Sequence, residues 1–144
     1  MSPETAKIIL AAEAKVKDKN HETLQVFDED GNLVAKNMRG GKHSVSIPWE
    51  AHRSNLILTH NHPQQTSGTA FAAVGQSFSG ADIKNLVRLN HKEVRAVTNG
   101  YIYSMRRPKG GFRAGVNPFE IERFMDREWD RRVGEAGNEY RKIA

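Results

Sequence analysis

The chain has 144 residues, no cysteine, 38% hydrophobic and 27% charged side chains, and 22 Lys plus Arg against 17 Asp plus Glu, a formal net charge of +5. That length fits one domain with a modest core, and the composition excludes a disordered, collagenous or membrane-embedded chain. Without thiols there are no disulfides, thiolate zinc sites or cysteine nucleophiles, so any metal must sit on histidine and carboxylate, while the basic excess invites acidic partners and a weak nucleic-acid contact through the basic surface.

From Pro3 to Lys17 the residues Ile8, Ile9, Ala12 and Val16 recur at helical spacing, with Ser2 as N-cap and Pro3 in the first turn, which predicts a short amphipathic helix. Its apolar run is too short for a signal h-region or a membrane span, so a cytoplasmic protein without membrane attachment is expected. Glu22–Phe27 and Leu33–Ala35 flank Asp28-Glu-Asp-Gly-Asn32, whose Asp30-Gly31 pair suits an antiparallel hairpin. Gly40-Gly41 breaks the pattern, Ser44–Ile47 reads as another short strand, and Pro48–His52 as a helical turn. Asn55–Thr59 is a compact apolar run, a buried strand that delivers His60 and His62 at its end. Gln64–Gln76 is rich in Gly, Ser, Thr and Ala and reads as an exposed loop. A helix then starts near Ser79, its N-cap, with Asp82 in the first turn.

Val94–Val97 and Tyr101–Met105 surround Asn99-Gly100, the strongest hairpin signal in the chain. Beyond the break at Pro108–Gly111, Asn117-Pro118 opens a long helix to about Lys142. Along it Ile121, Met125, Trp129, Val133, Ala136, Tyr140 and Ile143 form an apolar stripe that packs on the sheet or takes a partner. The expected organisation is a mixed α/β (α+β) domain over residues 1–116, a central sheet flanked by helices, followed by an amphipathic helix over 117–144.

His60 and His62 are two residues apart, so on an extended segment both imidazoles project from one face and can seat one metal ion. A catalytic zinc keeps three protein ligands and a water, and Asp82 is the natural third ligand. The metal-bound water still needs a carboxylate to take and pass its proton. Glu22 suits that role best, because it shares a strand face with the core residues Leu24 and Val26; Glu13 and Glu50 are the alternatives. Ser79 is positioned in sequence to donate a hydrogen bond to the attacking water or the developing oxyanion while capping its helix. Asn61, between the two histidines, points to the opposite face and ties down the neighbouring loop. His21, His43, His52 and His91 lie in polar or turn contexts and read as surface histidines.

At Glu22, His60-Asn61-His62-Pro63 and Ser79-Gly80-Ala81-Asp82 the sequence resembles the JAB/MPN (JAMM) metalloprotease family, and within it the RadC-like branch, over about residues 5 to 105. The resemblance implies the cytidine deaminase-like architecture and one zinc ion per chain held by His60, His62 and Asp82. It further implies Glu22 as general acid and base, Ser79 assisting the transition state, and hydrolysis of a peptide or isopeptide bond in a protein substrate. The interval between the second histidine and the serine, Gln64 to Phe78, is longer than the family pattern by several residues. Two other classes stay open: a nucleic-acid-associated module whose metal is structural or cuts phosphodiesters, and a non-catalytic assembly domain that recruits a partner through its C-terminal helix.

Overall fold

A computed structural model describes residues 1–42, 44–63, 78, 80–98, 101–113, 115–121 and 123. Helix α1 (Pro3–Val16) begins where expected: Ser2 is extended, its hydroxyl accepts from the Thr5 amide at 3.1 Å, and proline and Glu4 occupy the first turn. The hairpin of β1 (Leu24–Phe27) and β2 (Leu33–Asn37) turns on Asp28, whose carboxylate accepts from the Asp30 and Asn32 amides at 3.0 and 2.9 Å. A 3₁₀ turn at Trp49–Ala51 leads to β3 (Ile57–Asn61); α2 (Gly80–Arg88), β4 (Glu93–Val97) and β5 (Ile102–Arg106) follow.

The strands form one mixed sheet in the order β2-β1-β3-β4-β5. Every neighbouring pair is antiparallel except β3 and β4, which are parallel because α2 lies on the crossover between them. Alternation along the strands divides the core between two faces. Leu24, Val26, Leu58 and Val94 pack with Leu86 of α2, while Phe27 and Ile57 pack with Ile9 of α1 on the other side. The expected mixed α/β sheet flanked by helices is therefore present. No helix among the described residues is long and apolar enough to cross a membrane.

Beside its apolar cluster, the α1 face carries a buried ionic network. Arg95 donates to both oxygens of Glu13 (2.8 and 2.9 Å) and to Glu93 (2.9 Å), Thr59 donates to Glu13 at 2.6 Å, and Ser104 donates to Glu93 at 2.6 Å. Both carboxylates are about fully buried, Glu13 and Glu93 each at 1% exposure. Every charge there has a partner, which is the condition under which burial is tolerated.

Several local expectations shift. Ser44–Ile47 is not a strand: its carbonyls are taken singly, Ser44 by the Gly41 amide at 2.8 Å and Ser46 by the Asn37 side-chain amide at 3.0 Å, while Val45 and Ile47 pack on the core. β3 starts two residues later than the apolar run suggests, because Asn55 has a left-handed backbone (φ 67°) that ends extended structure. His91 is not a surface residue; it is 1% exposed, with Nε2 2.8 Å from the Ala51 carbonyl oxygen. The helix expected from Asn117 does start there, since the Asn117 side chain accepts from the Phe119 amide at 2.9 Å and residues 118–121 are helical. His43, residues 64–77 of the long loop, Ser79, Asn99-Gly100 and the helical stripe from Met125 onward lie outside the described residues.

Candidate metal centre

β3 carries His60 on its penultimate residue, and His62 follows one residue past the strand end. The His62 amide donates to the Val97 carbonyl at 2.9 Å, which extends the β3–β4 pairing far enough to hold this second histidine. Leu24 faces His60 across the β1–β3 pair. Continuing that register by two residues sets Glu22 opposite His62, on the same face as both imidazoles. Glu22 lies just before β1 and not within it, yet its backbone is fixed as firmly as a strand residue, donating to the Gly41 carbonyl at 2.7 Å and accepting from the Gly40 amide at 2.9 Å.

The four residues converge. One ligand atom from each of Glu22, His60 and His62 lies within 4.8 Å of the others. The Nε2 atoms of His60 and His62 are 3.0 Å apart, and the Asp82 carboxylate, in the first turn of α2, comes to 3.4 Å from His60 Nε2. Two imidazole nitrogens on one tetrahedral zinc stand roughly 3.3 Å apart, so a histidine pair with this spacing, flanked by two carboxylates, suits a small divalent cation of borderline softness. Ser79, the remaining candidate, falls outside the described residues.

Electrostatics follow from burial and crowding. Glu22 and His60 are each 5% exposed. Burial pushes the Glu22 carboxyl up to about 7; the imidazole of His60 opposes this shift and the Asp82 carboxylate adds to it. For His60, burial disfavours the imidazolium, but the charge and hydrogen bond of Asp82, with Glu22 behind them, outweigh it and raise its pKa. Two acids and two imidazoles thus share a pocket in which a cation would relieve the repulsion between the carboxylates.

Two residues support the site, Asn61, which the sequence singled out, and Gly40, whose role it did not show. Asn61 is fully buried; its side-chain oxygen accepts from the Thr23 amide (2.7 Å) and hydroxyl (2.6 Å), and its amide donates to the His21 carbonyl at 2.9 Å. The expected tie to a neighbouring segment is present, and that segment is the one carrying Glu22. Gly40 is the one that sequence reasoning missed. A Cβ there would collide with the Glu22 carbonyl oxygen and stand 2.8 Å from the Val45 Cβ, so only glycine lets the two backbones approach this closely. Isolated Gly-Gly reads as a break, and its position against residue 22 is not visible in one dimension. Glu13, an alternative base, is held by Arg95 on the opposite face, and Glu50 is exposed.

The chain matches no protein-family model, no curated protein and no solved structure.

Proposed function

We propose that the protein is a zinc-dependent hydrolase of the JAB/MPN (JAMM) type that cuts a peptide or isopeptide bond in a protein substrate. The observation that carries this reading is the convergence of Glu22, His60 and His62 within 4.8 Å, with Asp82 at 3.4 Å from His60. In this reading His60, His62 and Asp82 hold the ion. Bound there, zinc supplies Lewis acidity and a water that ionises near neutral pH.

Glu22 takes the proton from the attacking water and passes it to the departing amine. Burial raises the Glu22 carboxyl in the metal-free site, and the charge of a bound cation would lower it again, favouring the carboxylate that accepts the proton. Asn61 and Gly40 hold the Glu22 backbone so that its carboxylate faces the imidazoles, and the low exposure of Glu22 and His60 strengthens each electrostatic contact. Ser79 is assigned the hydrogen bond to the developing oxyanion.

Elemental mass spectrometry on purified protein tests the ligand set without a substrate. Near-stoichiometric zinc in the wild type, lost in His62→Ala and Asp82→Ala, is expected. Glu22→Gln should retain zinc and abolish hydrolysis of peptide and isopeptide-linked substrates. Because Glu22 also belongs to the close cluster, the informative contrary result is zinc lost in Glu22→Gln and kept in Asp82→Ala, which would exchange their roles. A wild type that carries no zinc after reloading would remove the hydrolase reading.

A further inference from the structure

At the opposite end of β3 from the histidines, the approaches to β3 and β4 and the exit of β5 frame an open surface cavity of about 450 Å³, lined by Asn55, Asn90, Lys92, Arg107 and the Pro108–Gly111 turn. Seven residues separate Asn55 from His62, on the order of 20 Å at the rise of a strand, so this cavity is separate from the metal centre.

The wall is built from tightly bonded parts. Asn55 (φ 67°) and Asn90 (φ 53°) are the two non-glycine residues with left-handed backbones among the described residues, and both line it. The Asn55 amide donates to the Asn90 carbonyl at 3.0 Å, and Arg107 spans the pair, donating to the Asn90 carbonyl and the Asn55 side-chain oxygen at 2.8 Å each. Asn90 takes this backbone as the residue that ends α2, its amide on the Val87 carbonyl at 3.2 Å and the His91 amide on the Leu86 carbonyl at 3.1 Å, and the bonds from Asn55 and Arg107 tie that helix end to the start of β3. On the far wall Gly110 and Gly111 take φ +87° and +91°, and a Cβ at either would meet nothing within 4 Å, so the turn offers bare backbone to whatever enters.

The charge in the cavity is one-sided. Among the described residues Lys92, Arg107 and Lys109 line it and no carboxylate does. Both Arg107 side-chain hydrogen bonds go to neutral amide oxygens, and Lys92 has only an exposed ion pair with Glu29 at 3.4 Å, which contributes little. Three cations held together with Glu29 as a weak, solvent-exposed partner of Lys92 are stabilised by a multiply charged anion. An arginine fixed in its plane beside two lysines suits phosphate oxygens. We infer that this cavity binds a phosphate-bearing anion, the charge being met by Arg107, Lys92 and Lys109. The ligand is a free oligophosphate or the backbone of a nucleic-acid strand, which share that chemistry.

The test is calorimetric titration of the full chain with sodium pyrophosphate, and fluorescence anisotropy with a short single-stranded DNA oligonucleotide. Lys92→Glu and Lys109→Glu change exposed or half-exposed side chains and should not disturb folding. Each should weaken binding about tenfold, the scale of one charge-assisted hydrogen bond. Lys36→Glu, on the edge strand β2, should change it less than twofold, and His62→Ala should leave it unchanged, which separates this site from anion binding at a metal ion. Arg107→Lys keeps the charge but loses the fork and should also weaken binding. Loss of pyrophosphate affinity alone in the Lys92 and Lys109 variants assigns a free oligophosphate; loss for the oligonucleotide, with pyrophosphate competing, assigns a strand. No binding of either probe, or an equal loss in Lys36→Glu, overturns the inference.

Discussion

Glu22 is buried between a histidine that favours its charge and an aspartate that opposes it, and its cost to the metal-free protein depends on pH. Its pKa rises from 4.5 in the unfolded chain to about 7 in the fold, so between those values the folded state holds a proton the unfolded state has lost. Stability therefore falls as pH rises through that window and levels off above about 7. Glu22→Gln, which mimics the protonated acid, should match the wild type near pH 4.5 and exceed it by roughly 3 kcal/mol at pH 8 in urea denaturation of chelator-treated protein. A difference that does not grow with pH would mean the carboxylate is solvated. His91 works in the other direction. Burial lowers its pKa while the Ala51 carbonyl and its hydrogen bond oppose that shift, so its contribution is lost as pH falls below 6.5. Asn61→Leu would leave the Thr23 amide and hydroxyl without their acceptor, and should cost about 1–3 kcal/mol and weaken zinc affinity about tenfold or more. Chelator competition measures the second effect.

Between elements, two contacts decide how the site is held. Gly40→Ala forces a Cβ against the Glu22 backbone. In the proposed enzyme it should depress kcat far more than it depresses the melting temperature, since the collision lies on the segment that carries the base. The network of Glu13, Arg95 and Glu93 joins α1 to β4 beneath β3. Glu13→Leu alone leaves Arg95 with Glu93 as its remaining ion pair but takes the acceptor from Arg95 Nε and Nη2 and from the Thr59 hydroxyl, and should cost about 1–3 kcal/mol. The triple change Glu13→Leu, Glu93→Val and Arg95→Met, which removes all three charges, should recover most of it. If the triple variant is as unstable as the single one, the hydrogen bonds of Thr59 and Ser104 to this network matter more than its charge balance.

For the whole molecule, the candidate metal site and the basic cavity sit at opposite ends of the same pair of parallel strands, the histidines at their carboxyl ends, where open α/β sheets place ligands. Zinc that binds only the folded state should raise the melting temperature by roughly 10 °C at a free concentration one hundred times its Kd, and Asp82→Ala should abolish that shift. Differential scanning fluorimetry with and without chelator reads both.

Much of this arrangement was legible in one dimension, because it depends on near neighbours. The N-caps at Ser2 and Asn117, the hairpin at Asp28, and the alternation that puts His60 and His62 on one face each follow from a few adjacent residues. The mixed sheet followed from the order of such segments. Only the tertiary structure decided which acid meets the histidines: Glu13 and Glu22 are both buried, but Arg95 claims one on the α1 face while the β1–β3 register delivers the other to His62. The same holds for His91 in the core, for Gly40 against Glu22, and for the three cations gathered from the ends of β4 and β5. Those pairings join residues tens of positions apart, and their free energies arise from burial and exclusion of water that no local window of the chain contains.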